Sequence, residues 1–436
     1  MSDERGGPPQ SPPGLATCSD LTAQVNGEPI WVEHLEKSIP EDSPAWFKQD
    51  APKKQEVNLV TLACTNPCKV AIHLKEPGKA LTVRPKHRRI AVTGKGQDWT
   101  LELPGPCQLY VEIGSLPPLL IFAEPPESKT SLDDPETRIF GPGVHTPGLI
   151  TLKDDDQVYL APGAVVYGGL RGSPRQARVF GRGTLDGSQL DDRMVRLDRA
   201  SHVLFEGITM RCGKGWQNTL QNCDDVTYRH VKILSFGACG DGIDPVCSRN
   251  IRIEGCFFRC SDDCIAVKGM KGGPKVSGIA VQDCVMVGYI FSDGFTVGME
   301  ADTTSMEGIT VRNCDILQAQ GLNAVGQHSA FSIICDGPAV IRDVTFEDIR
   351  VEENVPQMFE LNVTDGTHYT KAPPGHIRNV RLKNIHWETA KPLLIRGHDK
   401  DHLVEDVVFE GCSVAGAPLS PAQVQTNDFA KRIVVR

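Results

Sequence analysis

The sequence predicts an all-β protein, a right-handed parallel β-helix preceded by a small antiparallel β-sandwich. Three observations carry this expectation. One short phrase returns seven times between Cys223 and Val407, no stretch of helical periodicity is long enough to cross a sheet, and the N-terminal quarter is a run of short strands punctuated by turn residues.

The repeated phrase is an apolar-polar-apolar triplet, then a polar or Gly residue, then a second alternating run. It reads DDVTYRHVKI, RNIRIEGCFF, SGIAVQDCVM, EGITVRNCDI, RDVTFEDIRV, RNVRLKNIHW and EDVVFEGCSV. Anchored on Val226, Ile251, Ile279, Ile309, Val344, Val380 and Val407, the intervals are 25, 28, 30, 35, 36 and 27 residues, too short for a folded domain. Rungs of a solenoid stack about 4.8 Å apart, and each can bury its apolar face only against its neighbours. Three earlier phrases, QVYLAPGAVVYGGL around Val158, ARVFGRGTLDG around Val179 and SHVLFEGITM around Val203, extend the array to about ten rungs. A sandwich or propeller would also alternate, but would show hairpin dipeptides or blade signatures that this stretch lacks.

Ahead of the repeats, VNLVTLAC, KVAIHL, ALTVRP, RIAVTG, WTLEL, QLYVEIG and LLIFAE alternate with Pro/Gly/Asn turns, as in an antiparallel sandwich over residues 21–125. The polar segment PPESKTSLDDPET marks the boundary, and the β-helix domain is expected over residues 126–436. Residues 1–20 open with MSDERGGPPQSPPG, acidic and rich in Pro and Gly, and are expected to be a disordered tail. That start lacks the apolar core of a secretory signal, so the chain as written reads as cytoplasmic.

A formal charge of −9, with no basic run interleaved with aromatics, argues against a nucleic-acid partner. No run of 18 apolar residues exists to span a membrane as a helix. The 15 Cys, an odd number scattered through strand phrases, read as buried free thiols, Cys260 and Cys264 of the CSDDC segment included. No CxxC pairs or HExxH motif implies zinc, so neither a metal nor a cofactor is expected. The sequon at Asn362 matters only on a secreted route.

Chemistry is concentrated in one recurring turn. Asp241-Gly242-Ile243-Asp244, Asp263-Cys264-Ile265 and Asp293-Gly294-Phe295 share one phase when aligned on the apolar residue two positions on, with Asp262 beside Asp263. Asp is common at turns, but stacked carboxylates repel one another, raise at least one pKa and destabilise a fold unless they serve it. The competing reading of the column is a Ca²⁺ site, since hard cations also gather carboxylates.

The phrase GDGIDPVCSRNIRIEGCFFRCSDDCIAVKG resembles the central motif of the polygalacturonase family of glycoside hydrolases, within the pectin-lyase-like β-helix clan. VYLAPGAVVYGG, FGRGTLDG and the added sandwich resemble the related dextranase and isopullulanase family. The resemblance covers about Phe140 to Glu353 and implies that Asp241, Asp262 and Asp263 are catalytic. It implies inverting hydrolysis, with Asp262 as acid and Asp241 and Asp263 as base. Two departures matter. Where polygalacturonases carry Gly-His-Gly this chain has Ser292-Asp293-Gly294, and where they carry Arg-Ile-Lys it has Ser332-Ile333-Ile334. Without those cations a uronate would lack a charge-assisted partner, so an α-linked neutral oligo- or polysaccharide is the expected substrate.

Trp216, Asp244, Lys268, Asp293, Glu300 and His328 are expected to bind that substrate, Trp216 by stacking or else as a buried anchor, and the others through hydroxyls or charge. The alternatives are a hydrolase of uronate glycans and a non-catalytic glycan-binding β-helix. A polysaccharide lyase on a β-helix would need Ca²⁺ and a basic Arg or Lys beside it, and the loss of the cationic phrase counts against it. The chain is expected to act as a monomer on a carbohydrate, and the resemblance implies a secreted protein.

Overall fold

In each repeat phrase the residue before the inward Val or Ile is Asp, Asn or Gly, and the backbone there is left-handed: φ is 56° at Asp225, 55° at Asn250, 57° at Asp343 and 53° at Asn379. Most L side chains avoid that region, and these three residue types tolerate it. A second left-handed residue (Asp283, Asn313, Asp348 or Asn384) closes the same strand and turns the chain into the next sheet. The amides are also stitched from rung to rung, with Asn313 Nδ2 donating to Asp283 at 2.6 Å and Asn384 Nδ2 to Asp348 at 3.0 Å.

The computed structural model describes residues 15–436 apart from 40, 42, 78–79, 128–134 and 322–327. The expected tail over 1–20 lies mostly outside the described residues. Its last few residues pair, with Cys18 N–H donating to Val32 O and His34 N–H to Ala16 O, so the sandwich begins before Leu21.

Beyond Arg138 the chain coils as a right-handed parallel β-helix, the hand that twisted strands impose on parallel crossovers. Its first sheet has twelve strands, from Arg138–Phe140 to Ala430–Val435. The seven anchors are direct partners, Val226 with Ile251, then Ile279, Ile309, Val344, Val380 and Val407 in turn. Two differences from the expected array appear. A strand at each end raises the count from about ten, and Val179 pairs with Phe205 rather than Val203. Val203 and Phe205 are both inward with period 2, so hydropathy alone could not choose between them.

The remaining strands separate, after the long strand Ala164–Gly172, into two stacks. The second sheet runs through Lys232–Leu234, Phe257–Cys260 and Val285–Gly288. The third runs through Asn218–Gln221, Ile243–Val246, Ile265–Gly269, Phe295–Ala301, Phe331–Cys335 and Phe359–Val363. Inside, apolar side chains stack in file, with the Phe331 ring 4.6 Å from Phe346 and 4.9 Å from Phe359 between centroids. All 15 cysteines are free and only Cys239 is exposed.

The N-terminal strands form two five-stranded sheets. They are antiparallel except where Leu119–Glu124 runs parallel to Lys54–Ala63. LLIFAE is buried along its whole length because both its faces are covered. Leu119, Ile121 and Ala123 enter the sandwich core, while Leu120 and Phe122 meet Phe257, Val285 and Val287 of the second sheet. Buried charge pairs frame this contact, Arg84 with Glu352 and Lys232 with Glu124. Among the described residues the sandwich thus occupies the outer face of the second sheet and leaves the third to the site.

Phe346 is fully buried against three rings, so Phe346→Ala should cost about 3–5 kcal/mol through lost transfer energy and a cavity. Urea unfolding followed by circular dichroism should show a correspondingly lower midpoint.

Candidate active site

The parallel pairing of Ile243 with Ile265, and of Ile265 with Phe295 and then Phe331, fixes the phase of the turn before each strand. Two residues earlier stand Asp241, Asp263, Asp293 and Ser329, with Trp216 one rung before, because Asn218 pairs with Ile243. The in-phase column read from the sequence is therefore a structural column. Asp241, Asp263 and Asp293 are almost fully buried, and Asp262 is partly exposed at the same turn.

Lys268 lies at the centre of the outer face. Its Nζ is 3.1 Å from Glu300, 3.3 Å from Asp241 and 3.6 Å from Asp244. Glu300 reaches it through a bulge: Val267 pairs with Val297 and Gly269 with Ala301, so Gly298, Met299 and Glu300 stand against Lys268 alone. Gly298 is required there, since φ is +98° and a Cβ would fall 1.8 Å from Ile334 O. The ammonium also sits 4.2 Å from the centroid of the Trp216 ring, and Arg193 lies 4.4 Å from the same ring. Trp216 is thus engaged by two cations in addition to any sugar it meets.

Asp293 faces away from Lys268. Its Oδ1 accepts from Ser329 N–H at 2.9 Å and pairs with His328 Nδ1 at 2.9 Å, while Oδ2 accepts from the Ser332 hydroxyl. Its own N–H donates to Asp263 Oδ1 at 2.7 Å, and His328 Nδ1 stands 3.9 Å from that oxygen. Ligand atoms of Asp263, Asp293 and His328 lie within 4.8 Å of one another. These hydrogen bonds join the trio into one polar network.

Six carboxyl groups share this space with one ammonium and one imidazole. Burial, then the charges of Asp241 and Asp263, pushes Asp262 well above the usual carboxyl range. Burial and Asp293 push Asp263 up to about 8, against the opposing pull of His328. Burial raises Glu300 to about 7 despite Lys268, and burial with Asp241 raises Asp244 well above its ordinary value. Burial alone would discharge Lys268, but Glu300, Asp241 and Asp244 outweigh it and hold the ammonium charged. Asp244 is fully buried, with neither oxygen hydrogen-bonded, so it lies beneath the site, a support for Lys268. A cluster with several protons bound near neutral pH can both give and accept them.

The structure thus gathers all nine residues singled out in the sequence. It also adds Tyr369, about half exposed, whose hydroxyl is raised by burial and by the charges of Asp262, Asp263 and Glu300. The Tyr369 turn is anchored by Thr367, whose hydroxyl donates to Asp336 at 2.6 Å. Tyr369 belongs to no repeat phase, and nothing in the sequence pointed to it.

Residues 175–431 match the family model of Glycosyl hydrolases family 28. An exopolygalacturonase of Platanus acerifolia is 24% identical over 198 residues, 44% of this chain and 49% of that protein. A probable polygalacturonase of Arabidopsis thaliana is 36% identical over 98 residues, 22% of this chain and 20% of that protein. The chain therefore spans half or less of the length of these curated relatives. Among solved structures, Dex49A from Penicillium minioluteum superposes with a TM-score of 0.66 at 13% identity, over 99% of this chain and 96% of that one. At that identity the likeness concerns the fold, sandwich included.

The charge balance has a measurable consequence for stability. Asp263 releases its proton near pH 8 in the folded protein and near 3.8 in the unfolded chain, so between these limits the folded state holds more protons and stability falls as pH rises. Glu300, raised from 4.5 to about 7, acts in the same sense. Melting temperature should decline between about pH 5 and about pH 8, and Asp263→Asn should flatten the decline. Scanning calorimetry across that range checks it.

Proposed function

The chain belongs to glycosyl hydrolases family 28, and we propose that it hydrolyses an α-linked neutral oligo- or polysaccharide with inversion at the anomeric carbon. The observation that carries the reading is the column itself: a partly exposed carboxyl with raised proton affinity, Asp262, between two buried carboxyls, Asp241 and Asp263. Asp262 is the general acid, protonating the leaving oxygen. Asp241, held by Lys268, accepts the proton of the attacking water, and Asp263 can share that role once it has released its own proton. Inversion is what the family resemblance implies.

The choice of a neutral sugar is supported by where the cations are. Lys268 is enclosed by three carboxyl groups, so its charge is already matched within the protein. Ser332 is bonded to Asp293, and Ile334 is buried. Trp216 and Tyr369 flank the cleft as candidate sugar contacts, and Glu300 as an acceptor of hydroxyls. The second reading, a hydrolase of uronate glycans, is favoured by the names of both curated relatives.

Two measurements test this. Asp262→Asn keeps shape but carries no transferable proton, so kcat should fall by roughly 10²- to 10⁴-fold with the folded spectrum intact, and unchanged turnover would remove Asp262 from the mechanism. Dextran and polygalacturonate should be compared at low ionic strength, with the anomer of each product read by NMR. The neutral polymer should bind tighter and be cleaved faster, since the polyanion meets an acidic cleft on a chain of charge −9. Preference for polygalacturonate would establish the second reading.

A further inference from the structure

Where the chain passes from one sheet of the sandwich to the other, two thiols face each other. We propose that Cys64 and Cys68 are a disulfide pair, oxidised as the sandwich folds, which ties one sheet to the other beneath an exposed turn.

Cys64 follows directly on Lys54–Ala63 in one sheet, and Cys68 opens Cys68–Leu74 in the other. Both are buried in the sandwich core and both thiols are free, with Sγ atoms 3.6 Å apart. A disulfide bond measures about 2.05 Å, so the sulfurs must close by about 1.5 Å, which a small rotation about each Cα–Cβ bond supplies. The turn between them, Thr65-Asn66-Pro67, is exposed, and the Cys64 thiol holds it from within by donating to Asn66 O at 3.2 Å. The thiols of the β-helix are placed otherwise. Cys256, Cys284 and Cys314 follow one another in phase on successive rungs and donate to the carbonyls of Tyr228, Ile253 and Arg312. Rungs stack about 4.8 Å apart with their side chains parallel. At that spacing the Cβ atoms lie beyond the roughly 3.5–4.5 Å that a disulfide spans.

The step balances with a low-molecular-weight disulfide, such as oxidised glutathione, as the oxidant. The thiolate of one cysteine attacks a sulfur of that disulfide and releases one small thiolate. The second cysteine then attacks the protein sulfur of the mixed disulfide and releases the other, and the two protein protons leave with the released thiolates. Timing follows from burial. Burial, then Cys64 itself, pushes the Cys68 thiol up to about 12, so the folded sandwich holds almost no thiolate there. Exchange is therefore fast before the core closes and slow afterwards, and the bond once made is shielded from reduction. Its place bears on the joint between the domains. Cys64 N–H donates to Glu124 O at 2.7 Å, and the Glu124 carboxylate pairs with Arg182 at 2.9 Å and with Lys232 of the β-helix. The closed loop runs only from Cys64 to Cys68, so the gain is roughly 30-fold in the ratio of folded to unfolded protein.

The test uses the full chain, unfolded in urea with reductant and refolded in parallel in oxidised and in reduced glutathione. After denaturation and alkylation, the sample from oxidised glutathione should carry two fewer alkyl groups than its 15 cysteines. The peptide holding both Cys64 and Cys68 should then be lighter by about 2 Da than its reduced, unalkylated mass. Alkylation of all 15 cysteines, or a bond from either sulfur to Cys107, which lies near both, overturns the inference. In a second measurement, the urea midpoint of the oxidised protein should lie above that of the reduced protein. That difference should vanish in Cys64→Ser and in Cys68→Val and persist in Cys107→Ser. A bond that forms without raising the midpoint is a strained one with no place in the fold, and overturns the inference as well. Should Cys64→Ser and Cys68→Val fail to refold, the mass and the midpoint of the unaltered chain decide.

Discussion

Everything at the cleft depends on register between rungs. Ile243, Ile265, Phe295 and Phe331 are partners in a parallel ladder, each fully or almost fully buried. Because side chains alternate with period two, a slip of one residue would send this inward file to the outer face. Burying each such side chain contributes about 1.5–3 kcal/mol. Keeping Asp263 protonated up to about pH 8 marks an opposing cost on the order of a few kcal/mol at neutral pH. Several apolar rungs on each side therefore outweigh the column they align, and so carboxyl groups that repel one another can be held in line.

The cations decide what kind of column results. Lys268 reaches three carboxyl groups because the neighbouring strand carries a bulge at Gly298–Glu300, and the bulge exists because Gly298 can pass close to Ile334 O. Without the bulge Glu300 would follow strand alternation and be displaced from Lys268. The second cation, the His328 ring, arrives from the opposite end of the column through Asp293. One end is thus balanced by an ammonium and the other by an imidazole, with Asp262 and Asp263 between them.

Most of the fold was legible because its grammar is local. A left-handed residue before each inward Val or Ile, and another at the strand end, favours Asp, Asn or Gly at fixed offsets, with His202 and His230 at two of them, and those offsets are visible as the repeat. Legibility failed where the pattern is degenerate. Val203 and Phe205 are equivalent to hydropathy, and the parallel placement of Leu119–Glu124 depends on the β-helix covering one of its faces, which no window of the sandwich reveals. The column was legible for the same reason as the rungs, since its Asp residues ride at a constant offset from Ile243, Ile265 and Phe295. Tyr369 rides on no such offset. Its turn is positioned by a contact of Thr367 with Asp336 on the adjacent rung, made outside the strands, where it leaves no periodic trace.

The N-terminal sandwich bears on the site through exclusion. A β-helix has three outer faces, and here one is a lattice of surface charge pairs such as Arg342 with Glu307 and Lys383 with Glu347. The second is dry, closed by Leu120 and Phe122 against Phe257 and Val285, with buried charge pairs at its edges. Among the described residues, it is the third that carries buried acids next to a partly exposed Asp262 and an exposed aromatic ring. The Tyr289 hydroxyl bonds both Gln55 of the sandwich and Ser235 O, in the segment that leads toward Asp241. The sandwich therefore does more than cover apolar strands: it braces the chain entering the Asp241 turn, where a small displacement would change the contact between Asp241 and Lys268.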